Sequence, residues 1–256
     1  MRLARSFLRY PLLACAVIAP IATSAWAADK VFSDTQTKAM EEIIHNYLVT
    51  HPEVLVEAMD ALDKKQAEAK KAETRAVIAD NAEMIYGGPT SFVAGNPNGD
   101  VSVVEFFDYQ CGFCRRNFPH LNKAVAKDGN IRLVLKEWPI LGPVSQYAAK
   151  AALAARAQGK YLEFHNALYQ LEGELTNERI LDTAARVGLD LAQLKKDMDN
   201  PAVEAVLRQN YALSQKLGFT GTPTFIIGKD VYSGLQSEDE IAAHVAAARA
   251  ECGTAC

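Results

Sequence analysis

Two cysteines separated by two residues, Cys111 and Cys114, follow a strongly apolar stretch of the chain, Val101–Phe107. A short apolar run of this kind, preceded by the turn-forming residues 96–100, is typical of a buried strand. The residues after Cys114 favour a helix, so the chain should pass from strand to helix through the cysteine pair. A bond between these sulfurs would close too short a loop to stabilise distant parts of a fold. The spacing therefore predicts a reactive dithiol rather than a purely structural bridge.

The predicted position of the pair suits thiol chemistry, in which the thiolate is the nucleophile. Cys111 should lie at the helix N-terminus, where the helix dipole and free N–H groups stabilise a thiolate. Cys114, one turn later, should point inward and resolve a mixed disulfide. Glu105 is the one charged residue of the strand. If buried it would relay a proton to or from Cys114; the alternative is a solvent-exposed position at a sheet edge.

A second element, Thr222 and Pro223, directly precedes the β-rich run 224–227. A proline in a tight turn at this place suits a cis peptide bond, and the alternative is an ordinary trans proline at a strand start. Together with the upstream cysteines, the cis form is favoured. The backbone of this loop could then pair with an extended substrate segment, and the Thr222 hydroxyl would lie near the sulfurs.

The order of the predicted elements indicates an α/β fold. It runs strand, cysteine-bearing helix, strand (131–135), a helical block, two strands paired across 228–230, and a final helix capped by Ser237 and Glu240. This is the order of a thioredoxin fold with a helical insertion at about 143–216. The predicted domains are an N-terminal α-helical arm over residues 28–90 and the thioredoxin-like domain over residues 91–256.

The first 27 residues have the pattern of a cleaved export signal. Arg2, Arg5 and Arg9 precede a short apolar segment, and Ala25-Trp26-Ala27 is a cleavage signal. The alternative is an uncleaved membrane anchor, although the apolar segment is short for a span. The formal net charge of −4 gives no support for a nucleic-acid partner.

The arm over residues 28–90 lacks glycine until Gly87 and is rich in alanine, glutamate and lysine. Ser33 with Gln36, and Thr50 with Glu53, fit two helix-capping boxes. The apolar residues recur at helical spacing, and residues 87–89 form a natural hinge. Because such an arm cannot bury its stripe alone, it either pairs with other copies of the chain or docks on its own domain.

Together, residues 106–114, the helical insertion and residues 221–225 resemble the DsbA-like branch of the thioredoxin superfamily. The arm, through residues 46–48 and 51–55, is similar to ScsC-type members (suppressor of copper sensitivity). The resemblance implies a periplasmic protein whose arm makes oligomers, trimers in some members. It implies Cys111 as the attacking cysteine, Cys114 as the resolving one, Pro223 as the cis-proline and Glu105 as the buried acid.

The dipeptide Gly112-Phe113 and Thr222 before the proline look more like DsbC-type isomerases than like the oxidase DsbA. With Pro223, these residues are predicted to contact the substrate, exported protein thiols and disulfides. An isomerase or reductase is therefore favoured, kept reduced by a DsbD- or ScsB-like membrane protein. The alternatives are an oxidase recharged by a DsbB-like partner, and a copper-tolerance protein that holds Cu(I) on Cys111 and Cys114.

Two cysteines at the C-terminal end, Cys252 and Cys256, have no counterpart in the family pattern. They form a minor disulfide, or an accessory redox or metal-binding pair; the sequence leaves these open. No cofactor and no dedicated metal site are predicted.

Overall fold

The computed structural model describes residues 31–88 and 91–252. The predicted export signal, Pro89 of the predicted hinge, and the pairing of Cys252 with Cys256 lie outside the described residues. The chain divides into two compact units, with the division between Asp60 and Ala61. The sequence predicts an arm that ends at residue 90, whereas the residues from Ala61 onward belong to the same unit as the sheet.

The first unit contains α1 (Asp34–Thr50) and the start of α2 (Glu53–Asp80). The predicted capping box at Ser33 is confirmed, since its hydroxyl accepts from the Gln36 N–H and its own N–H donates to the Gln36 side chain. The second predicted box is wrong. Thr50 is the last residue of α1, and its hydroxyl donates to the carbonyl of Asn46 one turn earlier, at 2.7 Å.

Large apolar side chains of the first unit are exposed. No residue of α1 is buried among the described residues. The exposed large apolar side chains on α1 and on the part of α2 before residue 61 are Met40, Ile43, Ile44, Tyr47, Val49, Leu55, Val56 and Met59. Single exposed apolar residues are common, but a set this large on neighbouring turns is typical of a surface that another molecule covers.

The second unit is built on a mixed five-stranded sheet in the order β1-β3-β2-β4-β5. Its strands are β1 (Phe92–Gly95), β2 (Val101–Phe107), β3 (Ile131–Glu137), β4 (Thr224–Ile227) and β5 (Asp230–Ser233). The pair β2–β3 is parallel and the other pairs are antiparallel. The strand β1, a four-residue edge strand, is not among the elements predicted from the sequence. The thioredoxin-like fold is confirmed.

The helices of this unit cover both faces of the sheet. They are α3 (Ala82–Tyr86), α4 (Gly112–Asp128), α5 (Pro143–Ala155), α6 (Tyr161–Tyr169), α7 (Asn177–Arg186), α8 (Leu191–Met198), α9 (Pro201–Lys216) and α10 (Glu238–Cys252). The helical insertion, α5 to α9, occupies the predicted range. The capping box of Ser237 with Glu240 is also present before α10. In the described part of the chain, no helix is both long and apolar enough to cross a bilayer.

The alternation of side chains along β2 explains why the chain from Ala61 onward belongs to the sheet. Val103 and Phe107 face the core shared with α4, α5 and α10. Val104 and Phe106 face the other core, which includes Ile78 of α2 and Ile85 of α3 along with residues of α9. The end of α2 is therefore part of the second unit's own core.

Candidate active site

The cysteine pair lies where β2 passes into α4. Cys111 is the N-cap of α4, with extended backbone angles, and its Sγ accepts a hydrogen bond of 3.3 Å from the Cys114 N–H. In its thiol form, Sγ of Cys111 also donates to the carbonyl oxygen of Thr222 at 3.1 Å. Both cysteines are reduced in this structure. The predicted strand–cysteine–helix arrangement is confirmed.

The surroundings of Cys111 favour its thiolate. A hydrogen bond with the Cys114 side chain is the largest influence, and hydrogen bonding with the Thr222 side chain and with backbone N–H groups adds to it. Together they outweigh burial and lower the pKa of Cys111 to about 5. Cys111 is therefore ionised at neutral pH, which is the state that attacks a disulfide.

Cys114 has the opposite character. It is completely buried. Burial first, then its hydrogen bond with Cys111 and the nearby charge of Glu105, raise its pKa far above that of an ordinary thiol. The pair thus contains one ready nucleophile and one thiol that holds its proton until a base removes it.

Glu105 occupies the middle of the sheet rather than an edge. It pairs with Leu135 of β3 on one side and with Phe225 of β4 on the other, and only 3% of its surface is exposed. Burial, together with the charge of Cys111, raises the pKa of Glu105 to about 8. The solvent-exposed alternative is wrong. A carboxyl group with this pKa can accept or return a proton near neutral pH.

The loop before β4 faces Cys111. The Thr222–Pro223 peptide bond is cis, as predicted. The Pro223 carbonyl accepts from the Gly234 N–H at 2.8 Å, so the loop is fixed to the end of β5. The cis-proline loop and the cysteine pair are therefore adjacent, as the thioredoxin order requires.

The two residues between the cysteines are accessible. Phe113 is 53% exposed, and the guanidinium carbon of Arg116 lies 4.5 Å from its ring centroid. A Cβ added at Gly112 would meet no atom within 4 Å. An approaching polypeptide can thus contact both residues, which fits the predicted substrate-binding role.

Asp108 is a site residue that sequence analysis missed. Its buried carboxylate accepts from the N–H groups of Ile140 and Leu141 at 2.8 and 2.9 Å. It also accepts from the Gln110 N–H and the Ser145 hydroxyl at 2.8 and 2.7 Å. An aspartate between a buried strand and a reactive cysteine was the available signal. The Asp108 carboxylate fixes the loop after β3 beside the active site.

A buried polar cluster lies behind the active-site loop. Oε1 of Glu137 accepts from the hydroxyls of Tyr109 and Tyr161, at 3.0 and 2.8 Å. The Tyr109 hydroxyl also lies 2.9 Å from Nδ1 of His165, whose pKa burial lowers to about 3. The cluster joins Tyr109, two residues before Cys111, to Glu137 at the end of β3 and to His165 of α6. In the sequence, the available signal for this cluster was Glu137, an acidic residue at the end of a mostly apolar strand.

In the part of the chain that the structure describes, no three His, Cys, Asp or Glu side chains are grouped so as to hold a metal ion. The two sulfurs of Cys111 and Cys114 remain the candidate ligands for a soft cation such as Cu(I).

Comparison with known proteins fits this geometry. Residues 102–246, more than half of the chain, match the family described as DSBA-like thioredoxin domain. The chain belongs to this family. Residues 36–69 match the domain described as copper resistance protein ScsC N-terminal domain. Residues 102–246 therefore form a thiol–disulfide oxidoreductase domain of the DsbA type.

Two solved structures of similar proteins match different shares of this chain. A thioredoxin-like oxidoreductase from Silicibacter pomeroyi is 46% identical, with a TM-score of 0.65; the match covers 66% of this chain and 98% of that one. A linker-deletion mutant of Proteus mirabilis ScsC is 25% identical, with a TM-score of 0.66; the match covers 88% of this chain and 100% of that one.

Some curated relatives of this DSBA-like chain are much longer proteins. The Na(+)/H(+) antiporter NhaA 1 of Salinispora arenicola is 29% identical over 158 residues, which is 61% of this chain. The match spans only 24% of the antiporter. The chain thus spans only about a quarter of the length of this relative.

Proposed function

We propose that this protein is a periplasmic disulfide isomerase and reductase that acts on exported proteins through Cys111 and Cys114. The observation that carries the proposal is the contrast between the two sulfurs. Sγ of Cys111 accepts from the Cys114 N–H at the start of α4 and has a pKa of about 5, whereas Cys114 is buried with a raised pKa. This contrast separates an attacking thiolate from a protonated resolving thiol.

The reaction begins with attack of the Cys111 thiolate on a client disulfide. The client S–S bond breaks, one client sulfur leaves as a thiolate, and a mixed disulfide forms. In isomerisation, another client thiolate attacks this mixed disulfide, a new client disulfide forms, and Cys111 is released with no net change in oxidation state. The exposed Phe113 and the Thr222–Pro223 loop hold the client chain during these steps.

In reduction, Cys114 attacks Sγ of Cys111 instead. Glu105 takes the proton of Cys114, the client leaves with two thiols, and the protein retains the disulfide. Two electrons thus pass from the protein to the client. A membrane reductant of the DsbD or ScsB kind would restore the dithiol by the reverse exchange.

The arm supports an oligomeric form of the enzyme. The first unit exposes Ile43, Ile44 and Tyr47 on α1, and its family match is to the ScsC N-terminal domain. Covering this apolar face with copies of the same chain would bring several dithiols to one misfolded client. The predicted export signal and the ScsC similarity support the periplasm as location.

The test compares two reactions of the chain from residue 28 to 256, namely repair of a scrambled disulfide protein and oxidation of a reduced one. We expect native disulfides to be restored. The double variant Ile43→Glu/Tyr47→Glu should become monomeric in light scattering and lose isomerisation while still reducing a small disulfide. Lys38→Glu, which changes charge on the same helix, is the control. Efficient oxidation without isomerisation would instead identify an oxidase.

Copper handling is the second candidate, and the match to the ScsC N-terminal domain of copper resistance proteins favours it. Two adjacent thiolates suit Cu(I). Competition with a chromophoric Cu(I) chelator tests it, with Cys111→Ser as the control. Tight binding by the reduced protein alongside weak disulfide exchange would support this function.

A further inference from the structure

A cavity of about 400 Å³ lies next to the loop that follows β3. Its volume falls in the range of pockets that bind small molecules or side chains. Apolar walls are provided by Trp138, Leu207 and Tyr211. Tyr211 is 54% exposed, so its ring is accessible to an incoming chain.

The mouth of this cavity has an excess of positive charge. Lys150 of α5 and Arg208 of α9 both line it, and they share one carboxylate, Glu204. Nζ of Lys150 lies 3.0 Å from Glu204, whereas the Arg208 guanidinium lies 3.9 Å away and its side chain is 67% exposed. Arg208 thus retains N–H groups that an additional carboxylate can accept from.

The cavity is connected to the active site through Asp108. Its carboxylate holds the N–H groups of Ile140 and Leu141, which directly follow the cavity-lining segment of Trp138 and Pro139. The carbonyl of Asp108 accepts from the Cys111 N–H at 3.1 Å. Ile140 and Leu141 are exposed, so the short loop that Asp108 holds beside Cys111 presents apolar side chains next to the cavity lining.

We propose that this cavity is a client-recognition pocket, and that it takes an acidic residue next to an apolar residue, a few positions from the client cysteine. The apolar side chain packs against Leu207 and Tyr211. The acidic side chain accepts from Arg208 at the mouth. The inference rests on the proposed function, since it assigns the protein a preference among its polypeptide substrates.

The first experiment measures binding alone. The probe is a fluorescein-labelled, cysteine-free peptide with two Phe-Glu pairs, compared with the same peptide carrying Phe-Lys pairs. Fluorescence anisotropy should show tighter binding of the acidic peptide, by about threefold to tenfold at low salt, as expected for exposed charge pairs. Arg208→Glu should abolish this preference. Lys195→Glu, an equal charge change on an exposed part of α8, should preserve it.

The second experiment measures reduction. Each peptide, with one added cysteine and a self-quenching fluorophore, is linked as a disulfide dimer and mixed with excess reduced protein. Reduction breaks the peptide S–S bond, forms the Cys111–Cys114 bond and releases two peptide thiols. The acidic dimer should react faster with the unaltered protein, and Arg208→Glu should remove this difference. Tyr211→Ala should slow both dimers equally.

The outcomes separate the two proposals. Equal binding of the acidic and basic peptides, or a preference that survives Arg208→Glu, would overturn the pocket. Retained peptide preference with no reduction of any disulfide, including a small aromatic one, would overturn the proposed function instead.

Discussion

The backbone N–H of Cys114 donates a hydrogen bond of 3.3 Å to Sγ of Cys111. The N–H is one of the groups at the start of α4 that have no partner within the helix. Its donation stabilises negative charge on Cys111, while the buried Cys114 sulfur stays protonated. One helical turn therefore sets the chemistry of both sulfurs, and this has consequences that can be measured.

The Cys111 thiolate should persist in mild acid. Ultraviolet absorbance of the reduced protein at thiolate wavelengths, followed against pH, should show a transition with a midpoint near 5, the pKa of Cys111. Cys111→Ser should lack this transition. A midpoint near that of an ordinary thiol, roughly 8.5, would contradict the assignment of Cys111 as the nucleophile.

The burial of Glu105 should make stability depend on pH. Its pKa is raised to about 8 in the folded protein, so its contribution to stability is complete below the unfolded pKa and is lost as pH rises through 8. Glu105→Gln cannot ionise and should be more stable than the unaltered protein at pH 9, by on the order of 5 kcal/mol, the free energy that corresponds to a pKa raised from 4.5 to about 8. Urea unfolding of the oxidised proteins at pH 4 and pH 9 checks this. Similar differences at both pH values would argue against a buried, titrating Glu105.

Glu105→Gln should also slow the resolving step. Without a carboxylate, the buried Cys114 thiol has no neighbouring base to remove its proton. We expect release of client from the Cys111 mixed disulfide to fall by about tenfold to a hundredfold near neutral pH. Attack by Cys111 should change little. Rapid mixing that separates the two steps provides the measurement, and an unchanged resolving rate would remove Glu105 from the mechanism.

Asp108 should contribute both stability and client turnover. Asp108→Asn replaces one acceptor oxygen by a donor group, so some of the four donors that now point at the carboxylate lose their acceptor. We expect a loss of about 2–3 kcal/mol in the free energy of unfolding and slower reduction of polypeptide disulfides. Asp63→Asn, an exposed carboxylate on α2, serves as the control in chemical denaturation. No loss at Asp108 would mean that the loop after β3 is held by other contacts.

Arg75 should attach the end of α2 to β5 and α10. Its guanidinium donates to Asp230 at 2.7 and 2.8 Å and to Glu251 at 2.7 and 3.0 Å, joining α2 to β5 and α10. Arg75→Ala should lower stability by about 1 kcal/mol, less in high salt, because the groups are partly exposed. Limited proteolysis should then cut α2 between residues 61 and 80 faster. Arg186→Ala, which removes a local contact within α7, should leave this cleavage rate unchanged.

Local sequence patterns predicted most of the active site. The apolar run before Cys111, the helix-favouring residues after Cys114 and the proline before β4 each act over a few neighbouring residues. Such signals determine a strand, an N-cap and a turn without knowledge of the rest of the chain. The capping boxes at Ser33 and Ser237 were found for the same reason, whereas Thr50 also had a carbonyl of its own helix within reach.

Other features depend on residues far apart in the sequence. Asp108 acts on Ile140 and Ser145, and Glu137 accepts from Tyr109 and Tyr161; no local pattern contains both members of such a pair. The short strand β1 exists because β3 supplies its partner. The grouping of residues from Ala61 onward with the sheet likewise depends on Ile78 and Ile85 meeting Val104 and Phe106.

The sequence by itself determined the reactive pair, the strand-to-helix junction and the order of the thioredoxin elements, because each element follows from short-range preferences of the backbone. The cis form of the Thr222–Pro223 bond was favoured only in combination with the upstream cysteines. The tertiary structure decided that Glu105 lies in the centre of the sheet and that Cys114 is fully buried. Burial is a property of what packs against a residue from elsewhere in the chain. Burial is the largest influence on the pKa of Glu105 and of Cys114. The protonation states of these two residues could therefore be inferred only from the tertiary structure.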